Sequence, residues 1–252
     1  MPKLIILGSS NAIASSDHEN THMVIVGTER TVLVDCVSSP VVRLEQAGVE
    51  ANALTDLIIT HFHPDHVSGV PLLLLDMWLM GRRSLLEIHG LDATLERLEA
   101  LMDFHGWKKW PGFFPVTFRR IQAEEMTEVL ASPEFRIAAS PVKHMVPTIG
   151  LRLEVTGSKK SLAYSCDTEP CDEVRRLAGG VDVLIHEAAG AGLGHSSAAQ
   201  AGQVATQAEA ARLLLIHYPT GRFRKGDPLE EARQHYQGEL ALAEDFMVID
   251  LS

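Results

Sequence analysis

The densest run of chemically capable side chains in this 252-residue chain is His61-Phe62-His63-Pro64-Asp65-His66. It follows an apolar stretch, Leu57-Ile58-Ile59-Thr60, that reads as a strand. In extended backbone the side chains at i and i+2 share a face, so His61, His63 and Asp65 point one way while Phe62 and Pro64 point the other. His66 comes into reach as the chain turns into the next helix. Imidazoles and carboxylates are metal ligands, and four within six residues exceed what one tetrahedral zinc draws from a single loop. Two metal ions are therefore expected. The remaining ligands should come from distant strand ends, where three candidates stand: His144 beyond the strand ending near Ala139, Asp167 beyond residues 162–165, and His217 beyond residues 213–216. Polar groups released at the ends of apolar strands make a rigid site that is open to solvent.

The elements that must hold these groups follow from hydrophobic periodicity. Apolar, β-branched runs at 4–7, 23–26, 31–34 and 57–60 predict strands. Residues 70–80 and 91–104 carry apolar positions at helical spacing around a short strand at 85–89. Strand signals return at 135–139, 150–155 and 162–165, with Gly157-Ser158-Lys159-Lys160 as a hairpin turn between the last two. The rest alternates: helix 172–177, strand 181–186, helix 197–210, strand 212–216, helix 228–236 and strand 246–251. No low-complexity linker, charge block or repeat interrupts the chain, so a single domain over residues 1–252 is expected. Many strands with helices outside them predict a layered α/β fold, and hairpins at both ends predict mixed sheets.

Composition removes other classes. Hydrophobic residues make up 46% of the chain, ample for a sizeable core, which excludes disorder as the main state. With 22 Lys and Arg against 33 Asp and Glu, the formal charge of −11 repels polyanions as a whole, so contact with nucleic acid needs a local basic patch or bound cations. Three cysteines, Cys36, Cys166 and Cys171, cannot make a secreted-type disulfide framework, and a reducing, cytoplasmic setting is expected. The opening apolar run is too short for a signal peptide's core. The stretch 70–80 contains Asp76 and is about half the roughly 20 residues a spanning helix needs, so no membrane partner is expected.

Taken together, His61 to His66 with the later His144, Asp167 and His217 resemble the H-x-H-x-D-H signature and trailing His, Asp and His of the metallo-β-lactamase superfamily. The match runs from end to end. Within the superfamily the chain most resembles the ribonuclease Z group of tRNA 3′-processing phosphodiesterases. The finer likeness lies in residues 61–69, in Pro141-Val142-Lys143-His144 with Pro147 and Gly150, and in Tyr164-Ser165-Cys166-Asp167-Thr168. It continues in His186-Glu187-Ala188, similar to that group's His-Glu-Ala-Thr motif, and in the segment beginning His195-Ser196-Ser197, similar to its His-Ser-Thr segment. The resemblance implies a four-layer αββα sandwich of two mixed sheets flanked by helices, a dinuclear site at one edge, and a homodimer. It implies that His61, His63 and His144 hold one ion, that Asp65, His66 and His217 hold the other, and that Asp167 bridges them. Imidazoles and carboxylates without thiolate suit Zn2+, with Mn2+ or Fe2+ as alternatives.

Two such cations, about 3.5–4 Å apart, would turn a bridging water into a hydroxide nucleophile near neutral pH. His195, on a loop before a helix, is the expected general acid for the leaving group. Glu187 either orients His195 or is a solvated carboxylate, and Asp65 could accept a hydrogen bond from the nucleophile while ligating its ion. Thr168 and Ser196 are supporting candidates, Ser196 doubling as the cap of the next helix, and Cys166 reads as a small buried residue. His18, His22, His89, His105 and His235 read as ordinary surface or core histidines.

The chain departs from the ribonuclease Z pattern in three places. His144 and Asp167 stand 23 positions apart, room for a hairpin and not for that group's tRNA-gripping arm. The segments Gly8-Ser9-Ser10-Asn11 and Asp35-Cys36-Val37-Ser38-Ser39 are altered where substrate contacts are expected. These changes and the net charge argue against tRNA and leave another RNA end, a cyclic nucleotide or a small diester as substrate. Carboxyl-ester, lactone or thioester hydrolysis, and a non-catalytic metal-binding role, are the competing readings. Of the basic groups, Arg222, Arg224 and Lys225 lie near His217 and could hold a phosphate. The segment 107–115, with two Trp and two Phe, is either an apolar lid or dimer contact over the cleft or ordinary loop packing.

Overall fold

The computed structural model of the chain describes residues 2–252. Strands β1 (Lys3–Gly8), β2 (His22–Val26), β3 (Thr31–Val34), β4 (Asp56–Ile58), β5 (Leu86–Leu91) and β6 (Val116–Ile121) form one sheet. Strands β7 (Thr127–Ala131), β8 (Phe135–Val142), β9 (Thr148–Val155), β10 (Ser161–Tyr164), β11 (Val183–Glu187), β12 (Arg212–Ile216) and β13 (Glu239–Leu242) form the second. The chain then returns to the first sheet, where β14 (Val248–Asp250) pairs antiparallel with β1. In each sheet an antiparallel meander adjoins a parallel run: β3 to β6 in the first and β10 to β13 in the second. Both sheets are mixed, as expected.

Burial follows the pleat. Leu4 and Ile6 of β1 point into the core between the sheets, and Ile5 and Leu7 into a second core on the other face. In β12, Leu214 and Ile216 share the central core, whereas Leu213 and Leu215 face a third. Strands buried on both faces read as unbroken apolar runs, which is why they are visible in the sequence. The second core lies under α1 (Pro40–Gln46), α2 (Pro64–Val67), α3 (Val70–Leu79) and α4 (Asp92–Phe104), and the third under α5 (Asp172–Leu177), α6 (Ala198–Gln207) and α7 (Pro228–Arg233). Three cores between four layers are the αββα sandwich. Among the described residues no helix is long and apolar enough to cross a membrane.

Two expectations about α6 need correction, and an open alternative about the segment 107–115 is decided for ordinary packing. Helix α6 is capped by Ser197, which with Gln200 forms a reciprocal capping box, and not by Ser196. It stops at Gln207 because Glu209 takes a left-handed φ of 55°. The aromatic segment around Trp107 is no lid: it feeds the amino end of β6, whereas the His61 loop leaves the carboxyl end of the parallel β4. It packs on the helical side, with Trp110 stacked on Trp78 at 5.3 Å and Trp107 Nε1 donating to Asp103.

Two histidines outside the proposed ligand set are fully buried. His22 and His186 each donate from Nδ1 to a carbonyl, of Asn20 and Glu187 respectively, at 2.8 Å, while Nε2 has no partner. Burial pushes both down to about 4, because a proton on Nε2 would meet no acceptor. The unfolded chain takes up these protons near pH 6.5 and the folded protein does not, so stability is full above that pH and falls as pH drops toward 4. With chelator present, His186→Gln is expected to flatten the fall in stability between pH 6.5 and 4 by up to about 3 kcal/mol in denaturant titrations. An unchanged pH slope would contradict it.

Candidate metal centre

The expected residues emerge at one edge, His144 from the hairpin between β8 and β9 and the others from the carboxyl ends of strands in the parallel runs. After β4 the chain runs on to His63, which is extended, and Pro64, at the first position of α2, starts the turn that carries Asp65 and His66. His144 lies between β8 and β9, Asp167 just after β10, Glu187 at the end of β11, and His217 directly after β12. Gly69 is required by a close approach: a Cβ there would sit 2.7 Å from the carbonyl carbon of Val37. Backbone bonds from Cys36 N to His66 O and from Gly69 N to Cys36 O lock the same junction.

The donor atoms converge in two groups. His63 Nδ1 lies 3.0 Å from His61 Nε2 and 3.1 Å from His144 Nε2. Asp167 Oδ2 lies 3.3 Å from His217 Nε2, 3.5 Å from His66 Nε2 and 3.9 Å from His61 Nε2, so it stands between both groups. Asp65 Oδ2 lies 3.6 Å from His66 Nε2 and 3.9 Å from His217 Nε2. One atom from each of His61, His63 and His144, and one from each of Asp65, His66, Asp167 and His217, fall within 4.8 Å of one another in their sets.

The chemistry of these donors fits divalent cations. His66 Nε2 and Asp167 Oδ1 are buried without a hydrogen-bond partner, a costly state that a cation relieves. The outer nitrogens are pinned so that the inner lone pairs face the cluster: His66 Nδ1 donates to Asp35 Oδ2 at 2.7 Å and His144 Nδ1 to the Gly194 carbonyl at 2.6 Å. His61 Nδ1 and His217 Nδ1 meet the hydroxyls of Thr60 and Thr21 at 3.1 and 3.2 Å. Burial disfavours charge on Asp167 and His66, but their neighbours outweigh it. His217 and His66 hold Asp167 well below the usual carboxylate range, and Asp167 with Asp35 raises His66 well above 6.5. Cys166 Sγ faces Nδ1, the outer nitrogen of His61, at 3.6 Å, and burial pushes its thiol up, consistent with a small buried residue.

Asp35, Cys166 and His217 all hold left-handed φ values, between 52° and 59°, at three strand ends around the cluster. Each costs about 1–2 kcal/mol in a non-glycine residue. The conformations set Asp35 beneath His66, turn the chain into Asp167, and aim His217 inward. Asp35 also accepts from Thr60 N and Oγ1, which makes it a support of the site rather than a surface contact. The sequence reading missed this role, and with it Thr21, Thr60 and Gly194.

Next to the cluster, Glu187 is fully buried, so it is not a solvated carboxylate. Its Oε1 accepts from Thr168 N at 3.1 Å, Ser196 N at 3.0 Å and His195 Nδ1 at 3.0 Å, and its Oε2 from Ala189 N at 2.8 Å. Burial, with the charge of Asp167, outweighs these N–H groups and leaves Glu187 pushed up to about 7, and Glu187 in turn raises His195. Three backbone N–H donors favour the carboxylate, which leaves the proton of the pair on His195. The His195 ring is 5.0 Å from that of His144 and 5.9 Å from that of His217. A separate donor group, Asp56, Glu87 and His89, belongs to the opposite end of the sheet, where Arg30 pairs both acids and Asp56 holds His89 at 2.9 Å.

A family model described as a beta-lactamase superfamily domain matches residues 30–218. The Ribonuclease Z of Methanothermobacter thermautotrophicus is 26% identical, the alignment covering 100% of this chain and 97% of that protein. That alignment spans 307 positions, so the relative carries segments that this chain lacks. Among solved structures, the metallo-beta-lactamase fold protein YhfI from Bacillus subtilis superposes with a TM-score of 0.82 at 23% identity, covering 98% of each chain. The short form of human tRNase Z gives a TM-score of 0.79 at 23% identity, covering 99% of each.

Proposed function

The chain belongs to the metallo-β-lactamase superfamily, and from that premise we propose that it is a dinuclear metal-dependent phosphodiesterase of the ribonuclease Z kind. The observation that carries the reading is Asp167, whose Oδ2 lies within 3.9 Å of Nε2 of His66 and His217 from one donor group and of His61 from the other. His61, His63 and His144 would hold one cation and Asp65, His66 and His217 the second, with Asp167 between them. Zinc suits this donor set, and bound cations would acidify a water and screen the charge of a phosphodiester.

The chain's own groups supply the rest. Asp65, half-buried beside His66 and His217, accepts a hydrogen bond from the attacking water and so orients it. His195 carries the proton for the leaving oxygen on Nε2, since Nδ1–H is committed to Glu187. Glu187 fixes that tautomer and favours the imidazolium before transfer. Thr168 and Ser196 hold Glu187 through their backbone N–H groups, and the Ser196 hydroxyl ties the two segments together by donating to Thr168 O.

Only β9, β10 and a tight turn join His144 to Asp167, which supports a small diester or a short RNA end over a folded tRNA. The test is turnover by zinc-loaded protein of bis-p-nitrophenyl phosphate, cyclic AMP, a 3′-extended tRNA, a lactone and a thioester. Both small diesters are expected to turn over and the tRNA to react slowly. Lactone or thioester hydrolysis with no diester cleavage would overturn the proposal, and rapid tRNA cleavage would reverse its substrate assignment.

A further inference from the structure

A cavity of about 230 Å³ opens between the loop after β11 and the loop after β12, at the starts of α6 and α7. Its lining is adjacent in the chain to residues of the site: Ala188 follows Glu187, Ser197 is two residues beyond His195, and Pro219 two beyond His217. Small, flat groups, Ala188, Gly190 and Pro219, form much of the wall, and Phe223 adds an aromatic surface that is 40% exposed. The Arg222 guanidinium lies over the Phe223 ring, 4.9 Å from its centroid, and backs one face of it. Arg224 is paired with Asp227, whereas Lys225, also on the wall, has no ion-pair partner among the described residues.

The volume is below the ~300–1,000 Å³ of drug-sized sites, which leaves room for one planar ring system. A ring there would have apolar faces against it and two polar groups at its rim, the Ser197 hydroxyl and the Glu231 carboxylate, which can accept from a ring amino group. One cation at the mouth suits a phosphate next to the ring.

We propose that this cavity is the subsite for a nucleobase adjoining the phosphodiester, the base lying against Phe223 with Lys225 reaching its phosphate. The proposal deepens the phosphodiesterase reading and rests on it. It makes the substrate a nucleotide and not an alkyl or lipid diester.

The test titrates zinc-loaded protein with AMP and with ribose 5-phosphate by calorimetry, since the two differ only in the base. AMP is expected to bind about tenfold more tightly, as one base stacked on an aromatic side chain warrants. Phe223→Ala should erase that difference, Phe223→Trp should keep it, and Phe223→Ala should raise KM for cyclic AMP more than it lowers kcat. Equal binding of the two ligands by the unaltered protein, while diesters are still cleaved, overturns the subsite and leaves the phosphodiesterase reading standing. The subsite also falls if Phe223→Trp loses the preference as fully as Phe223→Ala. Absence of any diester turnover sinks the parent reading and this one with it.

Discussion

Asp167→Asn is expected to leave a folded protein that retains at most one metal ion and loses more than about a hundredfold in diesterase activity. Asn matches Asp in shape, so the packing around this buried position survives, but the negative charge goes. That charge is what the site is built around: His66 and His217 present Nε2 to it within 3.5 Å, and His61 within 3.9 Å. An amide also puts an NH2 in place of one carboxylate oxygen, and that group has no lone pair to offer a cation. Changing an outer partner of a metal ligand costs about 10- to 100-fold in affinity or activity, and a residue shared between two donor groups should exceed that range. Asp35→Asn supplies the comparison. It removes charge from the group behind His66 Nδ1 while leaving all seven inner donors, so its loss should fall within that range. Metal content by mass spectrometry after gel filtration, read beside activity, tests both. Two ions per chain and unimpaired turnover in Asp167→Asn would remove Asp167 from the centre.

The contrast between Asp167 and Asp35 also shows what a linear sequence discloses. Asp167, His144 and His217 are legible because each follows an apolar run whose end can be located, and His61 to His66 because four donors crowd into one loop. Asp35 follows such a run as well, yet its role depends on a partner 31 positions away, and the Thr21 contact to His217 spans 196. Periodicity reports which way a side chain faces, and it does not report what folding brings opposite it. The same limit acts on the strands. Interior β1 and β12, buried on both faces, announce themselves, but β6, β7 and β13 pass unnoticed, and all three are sheet edges. Edge strands carry exposed polar residues, such as Arg119 and Arg120 in β6, which erase the apolar run. The aromatic segment at 107–115 shows the related failure: its composition is apparent, while the edge of the sheet it reaches is set by a parallel crossover.

His195→Ala should separate proton delivery from the rest of the machinery. A ribose or alkyl oxygen leaves as a strongly basic alkoxide and needs a proton in the transition state, which a positioned acid supplies for about 10²–10⁴-fold in rate. Nitrophenolate is a far weaker base and leaves with little help. The variant is therefore expected to lose about 10²–10⁴-fold in kcat on cyclic AMP and less than about tenfold on bis-p-nitrophenyl phosphate, with metal content unchanged. Glu187→Gln tests the partner. Glu187 raises His195 through the Nδ1 bond at 3.0 Å, so losing its charge should lower that pKa. The acid form then persists over a narrower range, and the limb on which the rate falls with rising pH should move to lower pH. Since Gln still accepts through its carbonyl oxygen, the His195 tautomer is kept and the limb moves without disappearing. Equal losses on the two substrates in His195→Ala, or an unmoved limb in Glu187→Gln, would mean that the leaving group takes its proton from elsewhere.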